Sequence, residues 1–132
     1  MANEWEKVEL YGANNDGNPR RYTVADGVAV SKGTLMAMSD PRTAAAFVDG
    51  NTVCAGVASE GKDANDGATT LALWTDGIFE VVASFATAVG APITGGDSNK
   101  AYTVDGASGA QIIGYCMETA ALDETVNMRL QL

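Results

Sequence analysis

Histidine is absent from this 132-residue chain. The side chain that most often serves as general base, nucleophile activator and metal ligand is therefore missing. No Ser-His-Asp or Cys-His arrangement can be built. A zinc site would need four cysteines or a set of carboxylates, and the two cysteines, Cys54 and Cys116, lie far apart. Basic residues are also scarce: eight Lys and Arg stand against seventeen Asp and Glu, a formal charge of −9. Phosphate backbones and anionic membranes are recognised by clustered Lys and Arg, so this balance argues against nucleic acid or a membrane as a direct partner. Arg20-Arg21 is the one basic pair, and Asp16 is close to it in sequence. No apolar run approaches the ~20 residues that span a bilayer. The opening MANEWEKVEL carries four charges and no apolar core of the kind a secretory signal needs. Nothing points to export, so both cysteines are expected as buried free thiols in a reducing cytoplasm.

What is present is a pattern that occurs twice. Gly56-Val57-Ala58-Ser59-Glu60 precedes a polar loop and the strand-like Thr69–Trp74. Gly114-Tyr115-Cys116-Met117-Glu118 precedes a polar loop and Thr125–Leu130. Gly56 and Gly114 are 58 residues apart, and so are Glu60 and Glu118. The shared order of apolar run, glycine, glutamate, loop and alternating strand suggests a β scaffold built from two related halves.

The length suits one domain. Its first 20 residues read as an N-terminal arm or hairpin, with a turn cluster at Asn14–Pro19 and a short strand around Val8 and Leu10. Residues 21–132 read as the β domain. Strands are expected at Arg21–Val24, Val28–Val30, Thr34–Met38, Thr52–Ala58, Thr69–Trp74, Ile78–Val82, Ala101–Val104, Gln111–Met117 and Thr125–Leu132. The last is the clearest, because Val126, Met128, Leu130 and Leu132 alternate with Asn127, Arg129 and Gln131. Thr75-Asp76-Gly77 reads as a hairpin turn between its flanking strands, and Gly90–Asn99 as loop. One short helix is expected near residues 41–48, because Asp40 can cap, Pro41 suits a first helical position and three alanines follow. About nine short strands with regular turn signals make the fold mainly β, a single compact barrel or sandwich.

Candidate chemistry is thin. Asp63 with Asp66, and Asp123 with Glu124, are carboxylate pairs that read as solvated loop charges. The run Asp63-Ala64-Asn65-Asp66-Gly67 is out of phase with a calcium loop, and Trp74 stands where the bidentate glutamate belongs. Gly95-Gly96-Asp97-Ser98-Asn99 lacks the Gly-Lys-Ser/Thr of a phosphate loop. Glu60 and Glu118 read as strand-end charges. No catalytic residue, cofactor site or metal site is expected, and the chain is not expected to be an enzyme. Trp74 is expected to cap the core. Trp5 lies in a charged arm with no evident core around it, and two readings stand side by side: an exposed anchor for a partner, or packing of the arm on its own domain.

Four segments and the closing strand resemble the head decoration, or cement, proteins of tailed bacteriophages over Tyr22–Leu132. They are Gly27–Met36, Cys54–Ala58, Trp74–Glu80 and Ile113–Glu118. The resemblance implies a compact β-barrel-like, β-tulip-like domain that forms homotrimers on the outer surface of the expanded capsid. It implies the major capsid protein as partner, the virion as location and the host bacterial cytoplasm as the place of synthesis. It also implies that Trp5 and Tyr11, in the N-terminal arm, contact the capsid. Many weak trimer contacts together brace the shell. On this reading, removal of residues 1–11 leaves the β domain folded and abolishes capsid binding. The competing expectation is a carbohydrate- or receptor-binding module of a phage fibre or adhesin. Such a module wants exposed aromatic platforms, whereas Tyr22, Trp74, Phe79, Tyr102 and Tyr115 all fall in expected strands.

Overall fold

The computed structural model describes residues 3–39, 42–47, 53–104 and 111–132. It contains eleven strands: β1 (Glu6–Leu10), β2 (Arg20–Thr23), β3 (Leu35–Ser39), β4 (Thr43–Ala46), β5 (Cys54–Ala58), β6 (Thr70–Trp74), β7 (Asp76–Val82), β8 (Pro92–Gly95), β9 (Ala101–Thr103), β10 (Gly114–Cys116) and β11 (Thr125–Gln131). The mainly β expectation holds. Strands β2-β4-β3-β5-β6 close a five-stranded barrel, and β1-β7-β11-β10-β8-β9 form a six-stranded sheet.

The two halves repeat one wiring. The pairs β2/β6, β3/β4, β3/β5 and β5/β6 reappear as β7/β11, β8/β9, β8/β10 and β10/β11. An antiparallel bridge joins Val30 to Lys62 in the first half and Thr87 to Ala120 in the second. The barrel closes through a parallel contact of Thr23 with Thr43, matched by the parallel bridge Ala83 to Ala101. The duplication read from two glycines therefore extends to the hydrogen-bond plan.

Those glycines have a shared cause. At Gly56 a Cβ would press on the Trp74 carbonyl, 2.5 Å away, and at Gly114 it would collide with the Arg129 carbonyl. In each half the neighbouring strand lies too close for any side chain at that point.

Burial follows the two-layer plan. Val24, Met36, Ala44, Ala55, Ala58, Leu71 and Leu73 fill the barrel. Leu35, Ala37, Cys54 and Val57 turn the other way, onto Phe79, Val81, Ile93, Met128 and Leu130 of the sheet. Strands β3 and β5 are thus covered on both faces, and all five residues of β5 are buried. Burial on both sides reads as a continuous apolar run rather than an alternating one.

Several local expectations fail. The strand expected at Val28–Val30 is not formed: the chain turns there, and Val30 makes only an isolated bridge to Lys62. The helix near 41–48 is not formed: Thr43–Ala46 is β4, paired with β3 from Ser39↔Thr43 to Met36↔Ala46. Three alanines are too few to nucleate a helix, and their preference of under ~1 kcal/mol per residue yields to a ladder of pairs. Asp40, Pro41 and Val48 lie outside the described residues.

Thr75-Asp76-Gly77 is not a hairpin turn. Strand β6 pairs with β2 and β5, whereas β7 pairs with β1 and β11, so Thr75 is where the chain crosses from barrel to sheet. The Thr75 N–H donates to the Gly17 carbonyl at 2.9 Å, its hydroxyl donates to that of Asn18 at 2.9 Å, and its own carbonyl accepts from Leu132 at 3.1 Å.

The Gly90–Asn99 loop contains β8, which starts at Pro92, a position where no ladder donor is required.

The N-terminal segment does not stand apart as an arm. Strand β1 pairs with β7 from Glu6↔Glu80 to Leu10↔Gly77, with a bulge between Lys7 and Glu9.

Candidate interaction surface

Trp5 is fully buried. Its N–H donates to the Gly33 carbonyl at 3.0 Å, and its indole N–H donates to the Asn99 carbonyl at 3.1 Å. Its ring meets Phe79 edge-on at 6.3 Å. The reading of Trp5 as an exposed anchor is corrected: it is a core residue, and the flanking charges of Glu4, Glu6 and Lys7 hid this. Trp74 caps the same cluster, as expected, at 5.9 Å from Phe79.

Tyr11 lies on the outer side of the sheet. The Arg129 guanidinium stands 4.3 Å from its ring centroid and is ion-paired with Asp76. A hydrogen bond from its hydroxyl to Glu9 raises the Tyr11 pKa above the ordinary phenol value. Cross-strand pairing extends the row as Glu9↔Ile78, Ile78↔Arg129, Arg129↔Tyr115 and Tyr115↔Pro92. Paired residues share a face, so these side chains form one stripe across the sheet. Tyr115 is 40% exposed in it. Tyr, Arg and partly exposed apolar groups on a rigid sheet are the composition of an interaction surface. Tyr115 is not among the candidate surface residues of the sequence because its place in an expected strand counts there against an exposed aromatic platform. The alternation of buried Gly114 and Cys116 around it is the signal that places it outside.

The loop carboxylates are occupied locally. Asp66 accepts the N–H of Ala68 at 2.9 Å and that of Asp63 at 3.2 Å. These amides, that of Ala68 foremost, together with Lys62, hold the Asp66 carboxyl below its usual range. Asp26 accepts the N–H of Gly67 at 2.8 Å. Asp123 pairs with Lys100, and Glu124 accepts the N–H of Ala121. Glu118 accepts the N–H of Asn127 at 2.7 Å, and Glu60 is exposed.

Two polar residues that shape the scaffold went unread. Lys62 is buried, and its ammonium donates to the carbonyls of Asp26, Val28 and Asp63 at 3.0–3.2 Å. Asn99 is also buried and spans the two halves, bonded to Leu35, Gly33 and Asn3. Neither has a distinguishing sequence signal, because each acts through distant backbone. Cys54 and Cys116 are both free and buried.

No curated protein matches the sequence. Among solved structures, the crystal structure of the head fiber gp8.5 N base in bacteriophage phi29 is similar, with a TM-score of 0.56. The match covers 86% of this chain and 92% of that one, at 22% identity, and so demonstrates a shared fold. A family model described as phage cement protein matches residues 15–132. The chain belongs to the phage cement protein family.

Proposed function

We propose that this chain decorates the outer surface of a phage head as a homotrimer. There it binds the major capsid protein and stabilises the expanded shell without catalysing a reaction. The observation that carries the reading is the cement-family match over residues 15–132. The stripe of Tyr11, Arg129 and Tyr115 supplies a surface suited to the task, so Tyr11 keeps the capsid-contact role and Trp5 passes to the fold. Synthesis in the host cytoplasm suits two buried, unpaired thiols.

The test is to add the purified chain to expanded heads that lack it. Bound copies are counted and the temperature of head rupture is measured. Hundreds of copies per head and a higher rupture temperature are expected, with binding weakened by Tyr11→Ala. Heads that bind no chain, or only a few copies, overturn the proposal.

A further inference from the structure

The repeat leaves one position unequal in the two halves. Strand β7 carries β11 on one edge and β1 on the other. Its counterpart β2 carries β6 on one edge, but its other edge meets β4 at the single pair Thr23↔Thr43. The stretch of β2 before Thr23, equivalent to the part of β7 that β1 covers, has no strand beside it among the described residues.

The strand and its open edge are basic. Arg20 and Arg21 on β2, and Arg42 beside it, are all exposed, three of the eight basic residues of the chain. The Arg21 guanidinium donates to the Thr70 hydroxyl on β6 at 3.3 Å. Arg42 donates from Nε to the Arg21 carbonyl at 3.0 Å and lies 5.5 Å from the ring centroid of Tyr22. The ion pairs among the described residues are Lys62–Asp66, Lys100–Asp123 and Arg129–Asp76, so none of the three arginines has a carboxylate partner among the described residues. In a chain of charge −9 this is a conspicuous island.

The other open edge is acidic. Strand β1 ends its sheet, with Glu6 and Glu9 exposed and Glu6 placed opposite Glu80. Lys7 is drawn away, its ammonium 5.6 Å from the Trp74 ring centroid. Val8, 50% exposed, sits at the bulge on that edge. Like edges repel one another: β1 against β1 opposes glutamates, and β2 against β2 opposes arginines. Unlike edges attract. The charge pattern therefore disfavours a two-fold contact of identical surfaces and favours a head-to-tail one, the kind that builds rings.

We propose that copies of this chain associate by setting the acidic outer edge of β1 on one copy against the basic edge of β2 on the next. Resting on the homotrimer reading above, this names the two surfaces that meet in the ring.

The test is the solution mass of the full chain by light scattering, with Arg21→Glu, Glu6→Arg and the two substitutions together. A mass near three times 13.6 kDa is expected for the unsubstituted chain. Each single reversal is expected to weaken association about tenfold or more, and the double reversal to restore much of it. Near-ultraviolet circular dichroism from buried Trp5 and Trp74 verifies that each variant is folded. Equal masses for all four proteins, or a double variant no better than either single one, overturn the proposal and leave the decoration role standing. A chain that stays monomeric at every concentration yet binds heads also overturns it. A trimer that follows this charge pattern but binds no heads supports the edge contact and removes the capsid reading instead.

Discussion

The side-chain carbonyl of Asn99 accepts the backbone N–H of Leu35 at 2.8 Å, tying a loop of the second half to the start of β3 in the first. The same carboxamide donates to the carbonyls of Gly33 and Asn3, each at 2.9 Å. The Asn99 backbone carbonyl receives the Trp5 indole. One residue thus ties two segments, residues 3–5 and 33–35, to its own loop. Asn99→Ala strands the buried Leu35 N–H and removes a donor from the carbonyls of Asn3 and Gly33, the latter keeping the Trp5 N–H, and is expected to cost ~2 kcal/mol or more. Asn99→Asp keeps an acceptor for Leu35 but loses both donors, and is expected to be harmful too. Thermal unfolding of the two variants beside the parent checks this.

Trp5 makes the N-terminal segment part of the fold. Trp5→Ala is expected to destabilise by ~3–5 kcal/mol, the range for emptying a large aromatic site. Removal of residues 1–11 takes away both Trp5 and the strand that covers β7. A truncated chain that unfolds far below the parent, or aggregates through the bared β7 edge, is the expected result in a thermal melt. This reverses the outcome expected from sequence, where the segment looked detachable.

The paired glycines make a symmetric prediction. Gly114→Ala forces its methyl into the Arg129 carbonyl and must push β10 from β11. Gly56→Ala meets the Trp74 carbonyl and also places a side chain at a φ of +143°. Each is expected to lose ~2 kcal/mol or more, since backbone cannot move aside as a side-chain tip does. Gly67→Ala, at a φ of +86° with nothing within 4 Å, faces backbone strain alone and is expected to cost less. Denaturant midpoints for the three variants rank them.

Burial pushes the Cys54 thiol up to about 12. A raised thiol pKa means the reactive thiolate is scarce in the folded state at neutral pH and grows only as pH nears that value. Alkylation of the native protein at pH 8 is expected to leave Cys54 unmodified, whereas in denaturant both cysteines label. Mass spectrometry with and without denaturant reads the difference.

Elements whose pattern is set by their own burial were legible in the sequence. The alternation of β11 and the unbroken apolar run of β5 each report which faces are covered. The repeat was legible because glycine is required twice for the same close approach. What could not be read depends on distant partners. Ala44–Ala46 become a strand because β3 is beside them. Thr75 crosses between layers because Gly17, Asn18 and Leu132 hold it. Trp5 is buried through contacts with Gly33, Phe79 and Asn99. For the surface, Tyr11 stands out in the sequence by type alone, and the stripe beside it assembles from five strands whose order no local pattern encodes.

Strand β7 has residues 6–10 along one edge and residues 125–131 along the other. The barrel, by contrast, is drawn from one continuous stretch that ends at Trp74. During synthesis the barrel strands have therefore all left the ribosome while the sheet still lacks its central neighbour. Until residue 131 emerges, β7 can hold only β1, and a two-stranded ribbon is marginal in water. The slow, long-range closure of the sheet comes last. The face of β3 and β5 that carries Leu35, Ala37, Cys54 and Val57 is therefore covered in full only once the last strand is in place.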